Sequence, residues 1–363
     1  MNRHSLPASF PCVALALALA ASACQSIGPG TVPRDRFEYS GSISDSWKRQ
    51  LLLNIVKLRY LDPPIFVDIG QIVAGYSLET GVTAGGQLSS IDAIQGNSVA
   101  FGGSAKYTDR PTITYVPLTG NKFIKGLMTP LPPESLFFMI QSGWPADGML
   151  FAGLASINGM KNQETSINGV NPPDPGFMRV LELMRKIQLS GGVGLRVQVD
   201  AQKRQTNILT IRKQDISDET RADTAELRKL LRLDPEAGEF KLSFGSTQAD
   251  DKEVAVVMRS LMHLLSTMAA LVEVPPEDLA DRRATPGWES AQGSEKPVRM
   301  IEIHSSKEKV DDAFVSIHYR DHWYWIDDRD LKSKRVFAFM LMLFTLADTG
   351  EKEGLPLITI PAQ

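Results

Sequence analysis

Two stretches of alternating residues constrain the fold of this chain more than any other feature. In residues 72–84 every second position is mostly apolar and the positions between are small or polar, and residues 99–107 repeat the pattern. Successive side chains of a strand point to opposite faces of a sheet, so a period of two predicts strands with one apolar face. The polar segment 87–97 between them predicts a long β-hairpin.

The apolar side of this hairpin needs a cover, and the sequence leaves two possibilities. We expect it to pack on the helices of its own domain, because such alternation is typical of half-buried sheets. The alternative is insertion into a membrane, since lipid-facing strands alternate apolar with small or polar residues over about 10 positions. The pattern lacks a clear aromatic girdle, which counts against insertion.

The amino terminus carries an export signal. Arg3 precedes a short run of Ala and Leu, and small residues at 21–23 lead into Cys24. The run is too short to span a bilayer and is typical of a cleaved signal peptide over residues 1–23. Its end, Ala-Ser-Ala-Cys, resembles the lipobox of bacterial lipoproteins, in which the cysteine is acylated before cleavage. Ordinary secretory cleavage after Ala23 is the alternative.

Acylation at Cys24 would determine where the protein resides. Each methylene buried in lipid contributes about 0.8 kcal/mol, so a diacylated cysteine holds a protein on a bilayer almost permanently. Gln25, and not Asp, follows Cys24. In the sorting rule of enterobacteria this favours the outer membrane. We therefore expect a protein whose membrane lipid contact is at Cys24 and whose folded part faces the periplasm.

Cysteine content and charge exclude two further classes of protein. The chain has only Cys12 and Cys24; Cys12 is lost with the signal, and an acylated Cys24 has no free thiol. No internal disulfide is expected, so stability must come from a packed core, which about 340 mature residues can build. The net charge is −3, and no basic block is present. Nucleic-acid binding is therefore not expected.

Turn and linker signals divide the mature chain. Residues 24–44, rich in Gly, Pro and Ser, predict a tether, and residues 161–176 predict a linker between domains at 45–160 and 177–363. Both domains mix helices with short, mostly antiparallel strands, so the predicted fold class is α+β. The expected helices are 47–61, 121–128, 134–141, 145–157, 177–189, 220–233, 252–272 and 331–347. The expected strands outside the hairpin are 65–69, 111–118, 194–199, 207–212, 240–244, 298–304, 313–320, 323–326 and 355–360.

Four strings in the mature chain carry a resemblance to other proteins. They are SWKRQLLLNIVKLRYLDPPIFVDI at 46–69, RPTITYVPLTG at 110–120, QSGWP at 141–145 and YWIDDRDLKSKRVFAFMLMLFTLADTG at 324–350. They resemble a family of proteobacterial envelope proteins, often with lipoprotein signals, to which no activity is assigned. The resemblance covers most of the mature chain and implies an envelope location. It implies no catalytic residues.

Three histidines are the weak candidates for a metal site. His304, His318 and His322 lie on predicted neighbouring strands, and a tight turn could bring the last two face to face. Their spacing matches no established ligand motif, so neither a metal nor another cofactor is predicted. Asp328 or Asp330 is expected instead to cap the last helix, where a carboxylate meets free N–H groups.

No motif predicts catalysis. No Walker sequence is present, and no glycine-rich loop joins a strand to a helix as dinucleotide binding requires. The aromatic run 323–325 is expected to pack in a hairpin, and a platform for a peptide or glycan is the alternative.

We therefore predict a non-catalytic accessory or assembly component of the cell envelope that contacts other envelope proteins, with its oligomeric state left open. The first alternative is an oligomeric outer-membrane lipoprotein that forms a pore or exports material and uses the 72–107 hairpin. The second is a metal-dependent periplasmic enzyme centred on His318 and His322.

Overall fold

The structure is a computed structural model of the chain, and it describes residues 27–87, 98–166, 169–199, 205–288 and 298–347. Within those ranges helices and short strands intermix, and most strand pairs are antiparallel, so the predicted α+β class is confirmed. The predicted signal peptide, Cys24 and the strand expected at 355–360 lie outside them. In the described part, no helix combines the length and the apolar character needed to cross a membrane.

Nine helices lie within the described ranges. They are α1 (Ile27–Arg59), α2 (Asn121–Met128), α3 (Pro133–Gln141), α4 (Ala146–Gly153), α5 (Pro175–Leu189), α6 (Asp218–Leu231), α7 (Leu261–Ala270), α8 (Pro276–Ala280) and α9 (Leu331–Ala347).

The strands of the described residues belong to five sheets. They are β1 (Phe66–Val73), β2 (Tyr76–Gln87), β3 (Ser98–Asp109), β4 (Thr112–Leu118), β5 (Leu154–Ile157), β6 (Met160–Lys161), β7 (Glu164–Ser166), β8 (Gly169–Asn171), β9 (Val193–Val199), β10 (Gln205–Ile211), β11 (Glu239–Phe244), β12 (Glu253–Met258), β13 (His304–Ser306), β14 (Ala313–Tyr319) and β15 (His322–Asp327).

The chain divides into two compact units, but not at the predicted place. Unit 1 is Met1–Asp45 with Val67–Pro117, and unit 2 is Ser46–Phe66 with Leu118–Gln363. The linker expected at 161–176 lies inside unit 2. β5 ends before this segment and β6 ends at its first residue, yet both strands belong to the same sheet as β9, β10, β11 and β12, which follow the segment. The predicted domains 45–160 and 177–363 are therefore not confirmed.

Unit 1 consists of two two-stranded sheets and the first part of α1. β1 pairs with β4, and β2 pairs with β3. The Arg110 N–H donates a hydrogen bond to the Gly75 carbonyl at 2.9 Å, which joins the two ladders where they meet. Among the unit 1 residues whose exposure is described, none is buried. This unit therefore has no apolar core of its own within the described residues.

A six-stranded sheet forms the centre of unit 2. Its order is β6-β5-β12-β11-β10-β9, in which β11 and β12 run parallel and the other pairs are antiparallel. Val254, Ala255 and Val256 of β12 are fully buried. β12 is therefore covered on both faces, as expected for a central strand.

The sequence pattern predicts helices at two places where the structure has strands of the six-stranded sheet. Both predictions are wrong there. The helix expected at 145–157 ends at Gly153 and continues as β5, and the helix expected at 252–272 begins only at Leu261, after β12. β12 reads Glu-Val-Ala-Val-Val-Met. A short apolar run that is buried on both faces has no period of two, so its pattern does not distinguish a strand from a buried helix.

The predicted tether is also corrected, because residues 27–44 belong to α1. Their described side chains are exposed or half-buried, whereas Leu52 and Ile55, further along the helix, are fully buried. Helix formation has a costly nucleus and easy propagation. We attribute the helical state of 27–44 to propagation from the packed part of α1, which contains Leu52 and Ile55. The helix continues through Pro33.

The core of unit 2 is one continuous cluster of buried side chains. α9 contributes Phe337, Phe339 and Met340, none of them exposed. The run of residues 337–346 is apolar all round, which predicts a buried helix. The helix is not buried on every side, since Met342 is 45% exposed. β14, β15 and β13 pack beside it as a three-stranded sheet of order β13-β15-β14.

Candidate functional site

The hairpin of β2 and β3 is the most unusual surface of unit 1. Its antiparallel register runs without a shift from Tyr76 opposite Asp109 to Gln87 opposite Ser98, with 12 residues in each strand. The prediction of a long hairpin is confirmed, but the paired strands run from Tyr76 to Asp109, and residues 72 and 73 belong to β1.

Residues directly opposite each other in this register share a face of the sheet. One face, here named the apolar face, carries Tyr76, Leu78, Thr80, Val82, Gly103, Ala105 and Tyr107, with Asp109 opposite Tyr76 at its base. The other, named the polar face, carries Ser77, Glu79, Gly81, Thr83, Gly102, Ser104, Lys106 and Thr108. The sequence period of two is thus realised as two chemically different surfaces.

The apolar face is open to solvent. Val82 is 84% exposed, Tyr107 is 51% exposed and Leu78 is 45% exposed. The expectation that this face packs on the helices of its own domain is wrong for these residues. Large apolar side chains clustered in the open are a feature of interaction sites.

The base of the hairpin is held by aromatic and ionic contacts within unit 1. The rings of Tyr76 and Tyr107 stack with centroids 6.2 Å apart, and the Arg34 guanidinium lies 5.8 Å from the Tyr76 ring centroid. The Tyr76 hydroxyl donates a hydrogen bond of 2.6 Å to the Asp35 carboxylate. This bond raises the pKa of Tyr76 to about 12 and lowers the pKa of Asp35. These contacts involve helix α1 at one end of the hairpin only.

The three candidate metal histidines do not come together. His318 is opposite Trp323 and His304 is opposite Trp325, which places both histidines on one face of the three-stranded sheet. His322 is opposite Tyr319, one position along, so it lies on the other face. The face-to-face arrangement of His318 and His322 is therefore wrong. In the described residues no group of three or more His, Cys, Asp or Glu side chains is placed to hold a metal ion.

His304 is instead half of an ion pair. Its Nδ1 lies 3.0 Å from Oε2 of Glu273, whose other oxygen is 3.6 Å from Arg299. The hydrogen bond to Glu273 raises the pKa of His304, and the same bond lowers the pKa of Glu273.

The acidic residues after β15 have the structural role that the sequence indicated. Asp330 Oδ1 accepts hydrogen bonds from the backbone N–H groups of Lys332 and Ser333, both at 3.0 Å. Asp330 therefore caps α9, as predicted. Asp328 pairs with Lys334 at 2.7 Å, and Arg329 lies 3.5 Å from Asp312.

The aromatic run of β15 is divided between two faces. Tyr324 is fully buried, whereas Trp323 and Trp325 are half-buried on the opposite face. Their ring centroids lie 5.2 Å from His318 and 4.8 Å from His304, respectively. Packing thus accounts for the full burial of the Tyr324 ring and for part of the surface of the two Trp rings.

A buried hydroxyl network in unit 2 was not predictable from sequence pattern. The Tyr60 hydroxyl donates to Asp278 at 2.7 Å and lies 2.6 Å from the Tyr324 hydroxyl, which donates to it in turn. All three side chains are buried. Burial raises the pKa of Tyr60, and burial raises the pKa of Tyr324 to about 12. Three residues so far apart in the chain form no recognisable sequence motif, so their contact could be found only in the structure.

An exposed ion pair covers this network. The Arg320 guanidinium lies 4.7 Å from the Tyr60 ring centroid and donates to Asp62 at 3.0 Å. The Tyr319 hydroxyl also donates to Asp62, and this bond lowers the pKa of the Asp62 carboxyl. The arrangement joins the end of α1 to β14, β15 and α8, which indicates a structural role.

A cleft of about 420 Å³ lies beside α6, lined in part by Lys213, Arg221 and Arg228. Lys213 pairs with Glu236 at 2.7 Å, and Arg221 pairs with Asp218 at 3.0 Å. Arg228 donates to three backbone carbonyl groups. These three cations already have hydrogen-bond partners within the protein, and Lys229, which also lines the cleft, is exposed.

Comparison of the whole chain with protein-family models, with curated proteins and with solved structures finds no match.

Proposed function

We propose that this protein is a lipid-anchored component of the cell envelope that acts without catalysis, through contacts that its hairpin makes with other proteins. The observation that carries the proposal is the open apolar face, with Val82 84% exposed. The lipobox-like string before Cys24 and the resemblance to envelope proteins supply the proposed location, on the periplasmic side of the outer membrane.

The composition of unit 1 supports a role in assembly. A two-stranded hairpin alone is at best marginally stable in water. Here the described residues of the unit supply no buried core under a ladder of 12 pairs. Association that covers the apolar face would contribute the missing burial, because each large apolar side chain removed from water contributes about 1.5–3 kcal/mol.

A specific observation favours an oligomeric pore-forming or export lipoprotein as the second candidate. The hairpin is apolar on one face and small or polar on the other along its described length. Strands of outer-membrane proteins alternate in this way, with lipid on one side and water on the other. A strand of 12 residues is about 40 Å long, and at a tilt of about 45° it spans roughly 28 Å, close to the hydrocarbon core of a bilayer.

The native size of the acylated full-length chain in mild detergent tests the proposal. We expect an assembly larger than one chain, which a triple variant, Leu78→Ser with Val82→Ser and Tyr107→Ser, reduces to a monomer. The matched control changes two equally exposed apolar residues of unit 2, Phe138→Ser and Leu331→Ser, which are 66% and 69% exposed. This control should keep the wild-type size.

A monomeric wild-type protein, or a triple variant that keeps the wild-type size, would contradict the proposal. The size also separates the two candidates. A ring of many subunits supports the pore, and a small complex with other envelope proteins supports the accessory role.

The anchor is tested separately. We expect wild-type protein to incorporate labelled palmitate and to sediment with outer membranes, and Cys24→Ser to lose the label and enter the soluble periplasmic fraction. Cys12→Ser is the matched control, because Cys12 lies in the predicted signal and should not affect either readout. An unlabelled wild-type protein released by osmotic shock would refute acylation.

A further inference from the structure

The two outer edges of the hairpin are open. Among the described residues β2 pairs only with β3, and β3 pairs only with β2. In an antiparallel pair about half of the backbone N–H and C=O groups of each strand point away from the partner. Each strand therefore presents a row of unpaired donors and acceptors along its outer edge.

Two of the devices that normally block such edges, proline and bulges, are missing from β2 and β3. Natural edge strands are protected by proline, by bulges or by charged side chains, above all Lys. Neither strand contains proline, and the register has no shift. The one lysine, Lys106, has its Nζ 4.0 Å from the Glu79 carboxylate. The edges are thus suited to the addition of further strands.

We propose that the partner at these edges is a second copy of this chain, with β2 of one copy hydrogen-bonded to β3 of the next. This inference rests on the second candidate function, the oligomeric lipoprotein, and names the partner of the hairpin. The added strand is antiparallel, as in the hairpin itself, so the apolar faces of successive copies join into one apolar surface. Such head-to-tail contacts close into a ring when the rotation between copies permits.

Charge favours this pairing over the symmetric pairing of β2 with β2. Glu79 is the only charged residue of β2, and Lys106 is the only cation of β3. When β2 meets β3 of the next copy, each Glu79 gains a second Lys106 as a neighbour. Pairing of β2 with β2 brings two carboxylates together and adds no cation, whereas pairing of β3 with β3 adds both a lysine and a carboxylate, because β3 also carries Asp109. Opposite charges across strands stabilise a pair and like charges destabilise it.

Cysteine crosslinking in the full-length chain tests the pairing. The chain has no cysteine beyond Cys12 and Cys24, so an introduced cysteine reports its own position. Thr80→Cys lies on β2 and Ala105→Cys on β3, and the two exposed positions are opposite each other in the register. The variants are made in separate chains with different tags, so that no crosslink forms within one chain.

Coexpression of the two variants, followed by a short thiol-reactive crosslinker, should give dimers that carry both tags. Either variant alone should give at least tenfold less dimer. Phe138→Cys, on an exposed position of unit 2, is the control and should give no dimer.

Crosslinks only between identical variants would overturn the head-to-tail pairing, and the absence of any crosslink would overturn pairing between copies. These failures are distinct from failure of the proposed function. If the Ser triple variant still reduces the assembly to a monomer while no mixed dimer forms, the hairpin binds a different protein and only this inference is wrong.

Discussion

His304 and Glu273 form a half-buried ion pair, with side chains 27% and 34% exposed, whose contribution to stability depends on pH. The pKa of Glu273 is lowered, so its contribution is present above the pKa of an unfolded Glu, about 4.3, and is lost as the pH falls. The pKa of His304 is raised, so its contribution is complete below about 6.5 and is lost as the pH rises through the folded value. The pair is therefore strongest between these limits.

We expect His304→Gln to lower the free energy of unfolding by about 1 kcal/mol near pH 5.5 and by much less near pH 9. Denaturant titration of wild type and variant at each pH measures the difference. His318→Gln is the control, because His318 is exposed on the same sheet and should show no comparable dependence. An equal loss at both pH values would contradict a role for the charged pair.

Tyr60 is the central residue of the buried hydroxyl network. Removal of its hydroxyl should therefore lower the free energy of unfolding more than removal of the group at either end. Tyr60→Phe leaves both the Asp278 carboxylate and the Tyr324 hydroxyl without their partner, at a cost of about 1–3 kcal/mol. Tyr324→Phe leaves the bond between Tyr60 and Asp278 intact, so a loss of about 0.5–1.5 kcal/mol is expected.

Thermal unfolding of the two variants measures this order. Tyr115→Phe serves as the control, since Tyr115 is 61% exposed, and its melting temperature should stay at the wild-type value. A Tyr324→Phe variant less stable than Tyr60→Phe would show that the network is arranged differently.

At the scale of elements, the turn between β5 and β6 depends on Asn158. This residue has a left-handed backbone with φ of 45°. Its side chain donates to the Leu231 carbonyl and accepts from the Ala255 N–H, both at 2.7 Å. One side chain thus ties the turn to the end of α6 and to β12.

Asn158→Ala should lose both hydrogen bonds and add the strain of a left-handed alanine, with a total cost of about 2–4 kcal/mol. Asn158→Gly loses the same bonds but adopts a left-handed backbone freely, so it should be about 1 kcal/mol more stable than the alanine variant. Denaturant unfolding compares the two. Equal stability would show that the backbone conformation contributes nothing.

Helices and strands differ in how well local pattern predicts them. The expected helices near α5 and α9 agree with the structure within two residues at each end. The apolar residues of α5 repeat with the period of one buried face, and those of α9 form a continuous run. β5 and β12 were mistaken for parts of helices. They lie side by side in the middle of a sheet, where burial on both faces removes the period, and the strands that pair with them are distant in sequence.

At the scale of the whole molecule, the two units should respond differently to deletion. The Arg110 N–H binds the Gly75 carbonyl, so residues 76–109 can be replaced by Gly-Gly at a point where the chain ends already meet. Unit 2 keeps its buried cluster in this variant. We expect its melting temperature to change by less than about 3 °C.

A fragment that starts at residue 177, at the boundary expected from the sequence, should instead be insoluble. It lacks β5 and β6, so the edge of β12 is left unpaired beside an opened core. Circular dichroism and solubility measure both outcomes. A folded, soluble 177–363 fragment would support the domain boundary that the sequence predicts at residues 161–176.

One part of the candidate site could be predicted from the sequence. Alternation at 72–107 predicted the hairpin, since strand geometry alone converts a period of two into two faces. What covers the apolar face was not predictable in this way. Cover depends on which elements lie nearby in space, and the exposure of Val82 and Tyr107 was evident only from the structure.

The sequence by itself determined the α+β class, the long hairpin, the helix α9 and a cap for it at Asp328 or Asp330, because each depends on interactions between residues close together in the chain. Only the tertiary structure decided that β5 and β12 are neighbouring strands, that His318 and His322 face apart, and where the units divide. Those features arise from pairing and burial between segments far apart in sequence, and local periodicity carries no information about such partners.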